Sequence, residues 1–262
     1  MSGSEARPDT QYQMPDAQQP IDNTQLDARA AKMLEIYASR SFEGGRTAQR
    51  LRLTLVTWVL RNKLAHALKR VLDVAVSGAA LLLAAPIMLA TAIAIKIDSP
   101  GPVFFQQTRV GRYGRAFACF KFRSMYVDAE QRKAELLAQN EADGPVFKIK
   151  HDPRITRVGR VIRKLSIDEL PQLLNVLRGE MSLVGPRPPV PKEVAAYEFD
   201  QRRRLDAVPG ITGLQQVSGR SDLDFKTWVE LDLQYIADQS FWSDVKILVK
   251  TVPAVLLGRG AY

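Results

Sequence analysis

Two carboxylates stand side by side, Asp168 and Glu169, in the stretch KLSIDELPQLLNVLRGEMSLVGPRP that runs over residues 164–188. Cations crowd them in sequence: Arg154, Arg157, Arg160, Arg163 and Lys164 come before, Arg178 and Arg187 after. A site that handles a diphosphate needs this composition. Guanidinium groups bind phosphate oxygens bidentately and offset the charge of a transferring phosphoryl group. Adjacent carboxylates supply the hard oxygen ligands that Mg²⁺ prefers, and one of them can serve as a nucleophile toward phosphorus. The same residues also admit a plainer account, a Ser166-x-x-Glu169 capping box set in a basic surface. The chain contains no GxxxxGK[ST], and GRYGR at 111–115 does not match GxGxxG, so neither a P-loop nor a Rossmann phosphate site is indicated.

The elements that position the acids can be read around them. With Ser166 as N-cap, Pro171 would fall where its missing N–H and its ring disturb the helix. A start at Asp168 puts Pro171 in the first turn, where no N–H is needed. Leu170, Leu173, Leu174 and Leu177 then form one apolar stripe, and Gly179 ends the helix. On this reading both carboxylates sit at the positive end of the helix. Upstream, SPGPVFFQQTRVGRYGRAFACFKFRSM (99–125) predicts a turn, a strand, a Gly/Arg loop and a second strand. In that second strand Phe120 and Phe122 alternate with Lys121 and Arg123, so the two cations share a face. Residues 126–142 predict a helix, HDPRITRVGRVIRKLSIDEL a further basic helix, and GEMSLVGPRPPVPKE an extended loop stiffened by proline. Near the end, FWSDVKILVKTVPAVLLG joins Phe241 and Trp242 to an apolar helical stripe, either an interfacial helix or a packing helix.

The 262 residues are 46% apolar, enough for one good-sized domain with appendages. The formal net charge of +9 points to an acidic partner: nucleic acid, an anionic membrane surface or a phosphorylated substrate. No helix-turn-helix, zinc-finger or aromatic RNA-binding signature accompanies the charge, so a nucleic-acid partner is not expected. Cys119 is the only cysteine, which excludes an internal disulfide and a CxxC zinc site and suits a reducing compartment. Residues 1–50 are polar, glutamine-rich and aperiodic, and are expected to form a disordered tail without a removable secretory signal. Residues 51–67 read as a basic amphipathic juxtamembrane helix or a plain connecting helix. Between Asp73 and Lys96 the run 74–95 holds no charge. At about 1.5 Å per residue it is long enough to cross roughly 30 Å of hydrocarbon. Pro86 lies near its middle and both flanks are basic, so a helix that enters one leaflet over residues 68–97, breaks at Pro86 and leaves by the same face is preferred to a span or a buried core helix.

The runs KRVLDVAVSGAALLLAAPIML, GPVFFQQTRVGRYGRAFACFKFRSM, RKLSIDELPQLLNVLRGEMSLVGPRP and PGITGLQQVSGR occur in unbroken order. Together they resemble the bacterial sugar transferase family, the monotopic polyprenyl-phosphate phosphoglycosyl transferases, over roughly Leu68 to Tyr262. The resemblance implies a mixed α/β fold: a re-entrant membrane helix and a small helix-rich cytosolic catalytic domain over 98–262, with short strands and an interfacial amphipathic helix. It implies transfer of a sugar 1-phosphate from a UDP-sugar to undecaprenyl phosphate, with release of UMP, at the cytoplasmic face of a bacterial inner membrane. Asp168 would be the nucleophile and Glu169 its partner, both near Mg²⁺. Arg163, Arg187, Lys121, Arg123 and Arg220 would bind substrate phosphate, and Pro86 would break the membrane helix. Membrane lipids are implied as partners, with a second copy of the chain and downstream glycosyltransferases as further candidates. Ala85, Val208 and Gln215 depart from the family pattern, where serine, a basic residue and tryptophan are usual, and this bears on the substrate pocket. The C-terminal TVPAVLLGRGAY points to UDP-glucose or UDP-galactose as donor. The competing expectation is a membrane-anchored basic scaffold without catalysis, in which an adjacent acid pair would repel the anionic headgroups.

Overall fold

The computed structural model of the chain describes residues 45–141, 144–147, 149, 151–219 and 223–256. Most of the expected tail and Arg220 lie outside them. The contacts below all fall within the compact unit Lys63–Tyr262. The chain is helix-rich with short strands. Helix α1 (Gly45–Asp98) leads into an antiparallel hairpin, β1 (Phe104–Val110) and β2 (Ala116–Phe122), joined through a 3₁₀ turn at Arg112–Gly114. Short helix α2 (Ala129–Lys133) continues as a 3₁₀ segment, Ala134–Gln139, and is followed by α3 (Arg157–Lys164). A 3₁₀ turn, Ile167–Glu169, precedes α4 (Gln172–Arg178) and β3 (Ser182–Val184). Then come α5 (Pro191–Ala195), a 3₁₀ segment Asp200–Asp206, β4 (Gly210–Thr212), α6 (Leu214–Ser218), α7 (Phe225–Ala237) and α8 (Phe241–Leu256). Strands β3 and β4 pair in parallel, Ser182 beside Gly210 and Val184 beside Thr212.

Helix α1 joins the two segments separated in the sequence reading, 51–67 and 68–97, and it runs through Pro86 without interruption. The break expected at Pro86 is not present. Proline removes only its own bond to the Leu82 carbonyl and leaves the flanking rungs to hold the helix together. The burial pattern of α1 is inverted relative to a soluble core helix. Asp73, Ser77 and Thr91 are buried, whereas Leu82 and Leu83 are each 80% exposed and Ile87, Leu89, Ile93 and Ile97 also face outward. The stretch Val56–Asp98 is long and apolar enough to cross a membrane.

Polar residues of α1 grip the rest of the unit. Asp73 accepts hydrogen bonds from Ser182 Oγ and the Leu183 N–H, both at 3.0 Å. Lys69 Nζ donates to the Val184 carbonyl at 3.1 Å and pairs with buried Asp244, and Arg70 donates to the carbonyls of Val176 and Leu177. Lys69 and Arg70, two basic residues that precede the apolar run, are thus engaged in tethering α1 to β3, α4 and α8. The main core gathers Cys119, Leu173, Val176, Met181, Leu183, Val184, Tyr235 and Ile247. A second cluster joins Ile95 at the end of α1 to Phe122 of β2 and Ile162 of α3. Helix α8 buries Asp244 and Ile247 and leaves Trp242, Val249 and Val252 exposed. Those three recur at near-heptad spacing, so they share an outward apolar face.

Candidate active site

The acid pair lies in the 3₁₀ turn and not, as the sequence suggested, at the start of an α-helix. Ser166 takes a left-handed conformation (φ 56°) and its side chain makes no capping bond, so the capping-box account is not met. Pro171 is the N-cap of α4, where its lack of an N–H costs nothing. Gly179 ends α4 at φ 82°, a left-handed C-cap of the kind glycine supplies, as expected. The buried face of α4 is not the leucine stripe alone. Leu174 is 41% exposed, and Gln172, Leu173, Asn175 and Val176 point inward.

Asn175 is wholly buried and stitches the hairpin to α4. Its Oδ1 accepts from the Phe120 N–H at 3.0 Å, and its Nδ2 donates to the Ala118 carbonyl at 2.7 Å and to Glu180 at 2.6 Å. These bonds hold the edge of β2 against α4, so that Lys121 meets Glu169. Replacing Asn175 with alanine leaves a buried N–H and C=O unpaired, each costing about 1–3 kcal/mol. Asn175→Ala should therefore melt well below wild type and lose activity in proportion, as thermal denaturation and a transfer assay would record. An unchanged melting temperature would refute the stitching role.

Pleating sorts the hairpin into two faces. Phe105, Gln107 and Arg109 of β1 pair with Lys121, Cys119 and Phe117 of β2 and share their face. On the other face Phe104 stacks on Phe122 with ring centroids 5.2 Å apart. The first face opens onto a cleft lined by Arg109, Cys119, Lys121, Glu169, Gln172, Arg187, Pro188, Gly210 and Ile211. Gly210 belongs there because a Cβ would meet the Gly185 N at 2.1 Å, so only glycine lets β4 approach the loop that carries Arg187.

Lys121 Nζ donates to Glu169 Oε1 at 2.7 Å, and Arg187 Nη1 lies 3.6 Å from the same oxygen. Burial opposes ionisation of Glu169, but the charges of Lys121 and Arg187 together with the Lys121 hydrogen bond outweigh it and hold its carboxyl below the usual range. Asp168 is buried, and burial pushes its carboxyl up. The charge of Glu169 adds to that rise, while Lys121, Arg163 and Arg187 act against it. Two neighbouring acids are thus driven apart, one firmly ionised and the other poised to change charge first on acidification. Arg163, in the last turn of α3, acts on Asp168 through its charge.

Five of the residues singled out from the sequence therefore converge: Asp168, Glu169, Lys121, Arg187 and, through its field, Arg163. Arg123 does not line the cleft. The strand ends at Phe122, and the Arg123 guanidinium turns back to the carbonyls of Ser99 and Pro100, where it is buried. The expected shared face of Lys121 and Arg123 stops at the backbone. Arg109 and Asn175 were not singled out, although the alternation of β1 would have placed Arg109 on the Lys121 face once the pairing register was known. Among the described residues no group of three or more His, Cys, Asp or Glu forms a metal cluster. Asp168 and Glu169 are the carboxylates whose oxygens would be offered to Mg²⁺.

The family model for the bacterial sugar transferases matches residues 64–258. The chain is 52% identical over 194 residues to the galactosyl transferase CpsE of Streptococcus agalactiae, covering 74% of this chain and 43% of that protein. It is 46% identical over 210 residues to the undecaprenyl-phosphate galactose phosphotransferase of Salmonella typhimurium, covering 78% of this chain and 43% of that protein. It is 44% identical over 198 residues to the exopolysaccharide production protein ExoY of Rhizobium meliloti, covering 74% of this chain and 88% of that protein. The chain thus spans less than half the length of the first two and most of the third.

Proposed function

The chain belongs to the bacterial sugar transferase family, and from that premise we propose that it moves a sugar 1-phosphate from a UDP-sugar, glucose or galactose, onto undecaprenyl phosphate, initiating a surface glycan such as an exopolysaccharide. The observation that carries this reading is the buried Asp168 beside a Glu169 held ionised by Lys121 at 2.7 Å and Arg187 at 3.6 Å. The names of the Salmonella and Rhizobium relatives support it.

In the first half-reaction a carboxylate oxygen of Asp168 attacks the sugar-bearing phosphorus. The bond from that phosphorus to the bridging oxygen breaks, and UMP leaves with the bridging oxygen and its electron pair. A phosphosugar-aspartyl ester remains. In the second, an oxygen of undecaprenyl phosphate attacks the same phosphorus, freeing the Asp168 carboxylate and giving the sugar on a polyprenyl diphosphate. Lys121 and Arg187 neutralise charge on the phosphate oxygens, where charge-assisted donors are most effective. Asp168 and Glu169 are the residues that would hold Mg²⁺, which when bound would further offset the diphosphate charge. Release of UMP from a panel of UDP-sugars, with and without undecaprenyl phosphate, tests the reading and identifies the sugar. A protein that releases UMP from none of them contradicts it.

The outward apolar side of α1 and its polar, domain-facing side support a helix in lipid with the catalytic unit against the cytoplasmic leaflet. Basic residues flank the apolar run at both ends, which favours both ends on the cytoplasmic side. Cysteines substituted at Arg61 and Arg115 in a Cys119→Ala background should both resist an impermeant thiol reagent in intact cells. Labelling of one and not the other would establish a span.

A further inference from the structure

Resting on that transfer reading, we propose that Arg109 is a further substrate-binding residue, whose guanidinium grips an oxygen of the nucleotide sugar's diphosphate from the β1 side of the cleft. Arg109 lies on the same hairpin face as Lys121 and lines the cleft with Lys121, Glu169 and Arg187. Its Nη1 donates to the Pro188 carbonyl at 2.8 Å and its Nη2 to Gln107 Oε1 at 2.6 Å. Its Nε is shielded from solvent and has no partner among the described residues. A buried donor left unpaired is costly and calls for an explanation.

Charge points the same way. Arg154 and Arg204, buried elsewhere in the unit, meet the carboxylates of Asp152 at 2.6 Å and Asp232 at 2.7 Å. Among the described residues Arg109 has no carboxylate within ion-pair distance, only a carbonyl and an amide. Three cations, Arg109, Lys121 and Arg187, thus border a cleft whose lining, among the described residues, carries one carboxylate, Glu169. Burial and then the charge of Arg187 lower the pKa of Arg109, while the more distant charges of Glu193 and Glu169 act against them. A diphosphate supplies the missing negative charge. The cleft has an open volume of about 10 Å³, room for about one water. A substrate must therefore part Lys121 and Arg187 from Glu169 as it enters. Arg109, pinned to Pro188 and Gln107, is the cation that need not move, which makes it a preorganised donor.

The test uses full-length Arg109→Gln and the more conservative Arg109→Lys, purified with lipid as the wild type is. UDP-glucose and UDP-galactose are titrated onto each, and KM is measured separately for the UDP-sugar and for undecaprenyl phosphate. Both variants should show UDP-sugar affinity and KM weakened about tenfold or more. Their KM for undecaprenyl phosphate and their melting temperature without ligand should stay near wild type. Lysine fails because a point charge on a flexible stem does not reproduce the fixed fork. Wild-type UDP-sugar affinity in both variants overturns the inference, and so does a loss shared equally by both substrates together with a lower melting temperature. A wild type that binds and transfers beside unaffected variants refutes the role of Arg109 alone, whereas a wild type that binds no UDP-sugar refutes the transfer reading with it.

Discussion

Asp168→Asn should melt like the wild type and yet lose essentially all transfer. The side chain is 8% exposed, and burial already disfavours its charge, so an amide of the same shape is well tolerated. No helix cap depends on it, because Ser166 makes no side-chain cap and α4 begins only after Pro171. A nucleophile is another matter, since an amide cannot form the acyl-phosphate ester. Thermal melting beside a UMP-release assay separates the two demands. Near-normal turnover in the variant would return Asp168 to a structural role.

Arg187→Ala should weaken use of the nucleotide sugar by about 10- to 150-fold, the effect of losing a charge-assisted contact of about 1.5–3 kcal/mol. Its effect on folding should be small. The Arg187 side chain is 35% exposed and sits 3.6 Å from Glu169, and exposed ion pairs of that kind contribute at most about 1 kcal/mol. Glu169 keeps Lys121 at 2.7 Å after the substitution. Arg163→Ala should act in the same direction. A drop in melting temperature that tracks the loss of activity would assign these arginines to structure instead.

The hairpin was legible in the sequence because a two-residue alternation and a Gly/Arg turn are local signals, and β1, β2 and the loop between them stand where the pattern put them. Gly179 was legible for the same reason. Asp168, Glu169, Lys121 and Arg187 could be named because their chemistry and family motifs stand out. Long-range partners could not be read. The alternation put Arg123 with Lys121, but carbonyls of Ser99 and Pro100, contributed from just beyond α1, capture its guanidinium. The leucine stripe hid Asn175, whose importance comes from backbone groups of β2 more than fifty residues away in sequence. The start of α4 was placed too early, because a left-handed Ser166 and a 3₁₀ turn absorb the chain before Pro171. In α1, hydropathy showed an apolar helix, but only the fold shows that Asp73 faces β3 and that Lys69 pairs with Asp244.

The central claim is that Asp168 carries the phosphosugar between donor and acceptor. Its most direct test is to incubate the wild type with a UDP-sugar labelled in the sugar, without undecaprenyl phosphate, and to map the labelled peptide. Label should remain covalently on Asp168 in an amount matching the UMP released, and should leave as lipid-linked sugar when undecaprenyl phosphate is added. Transfer at a normal rate with no covalently bound label, or label mapped to a residue other than Asp168, would contradict it.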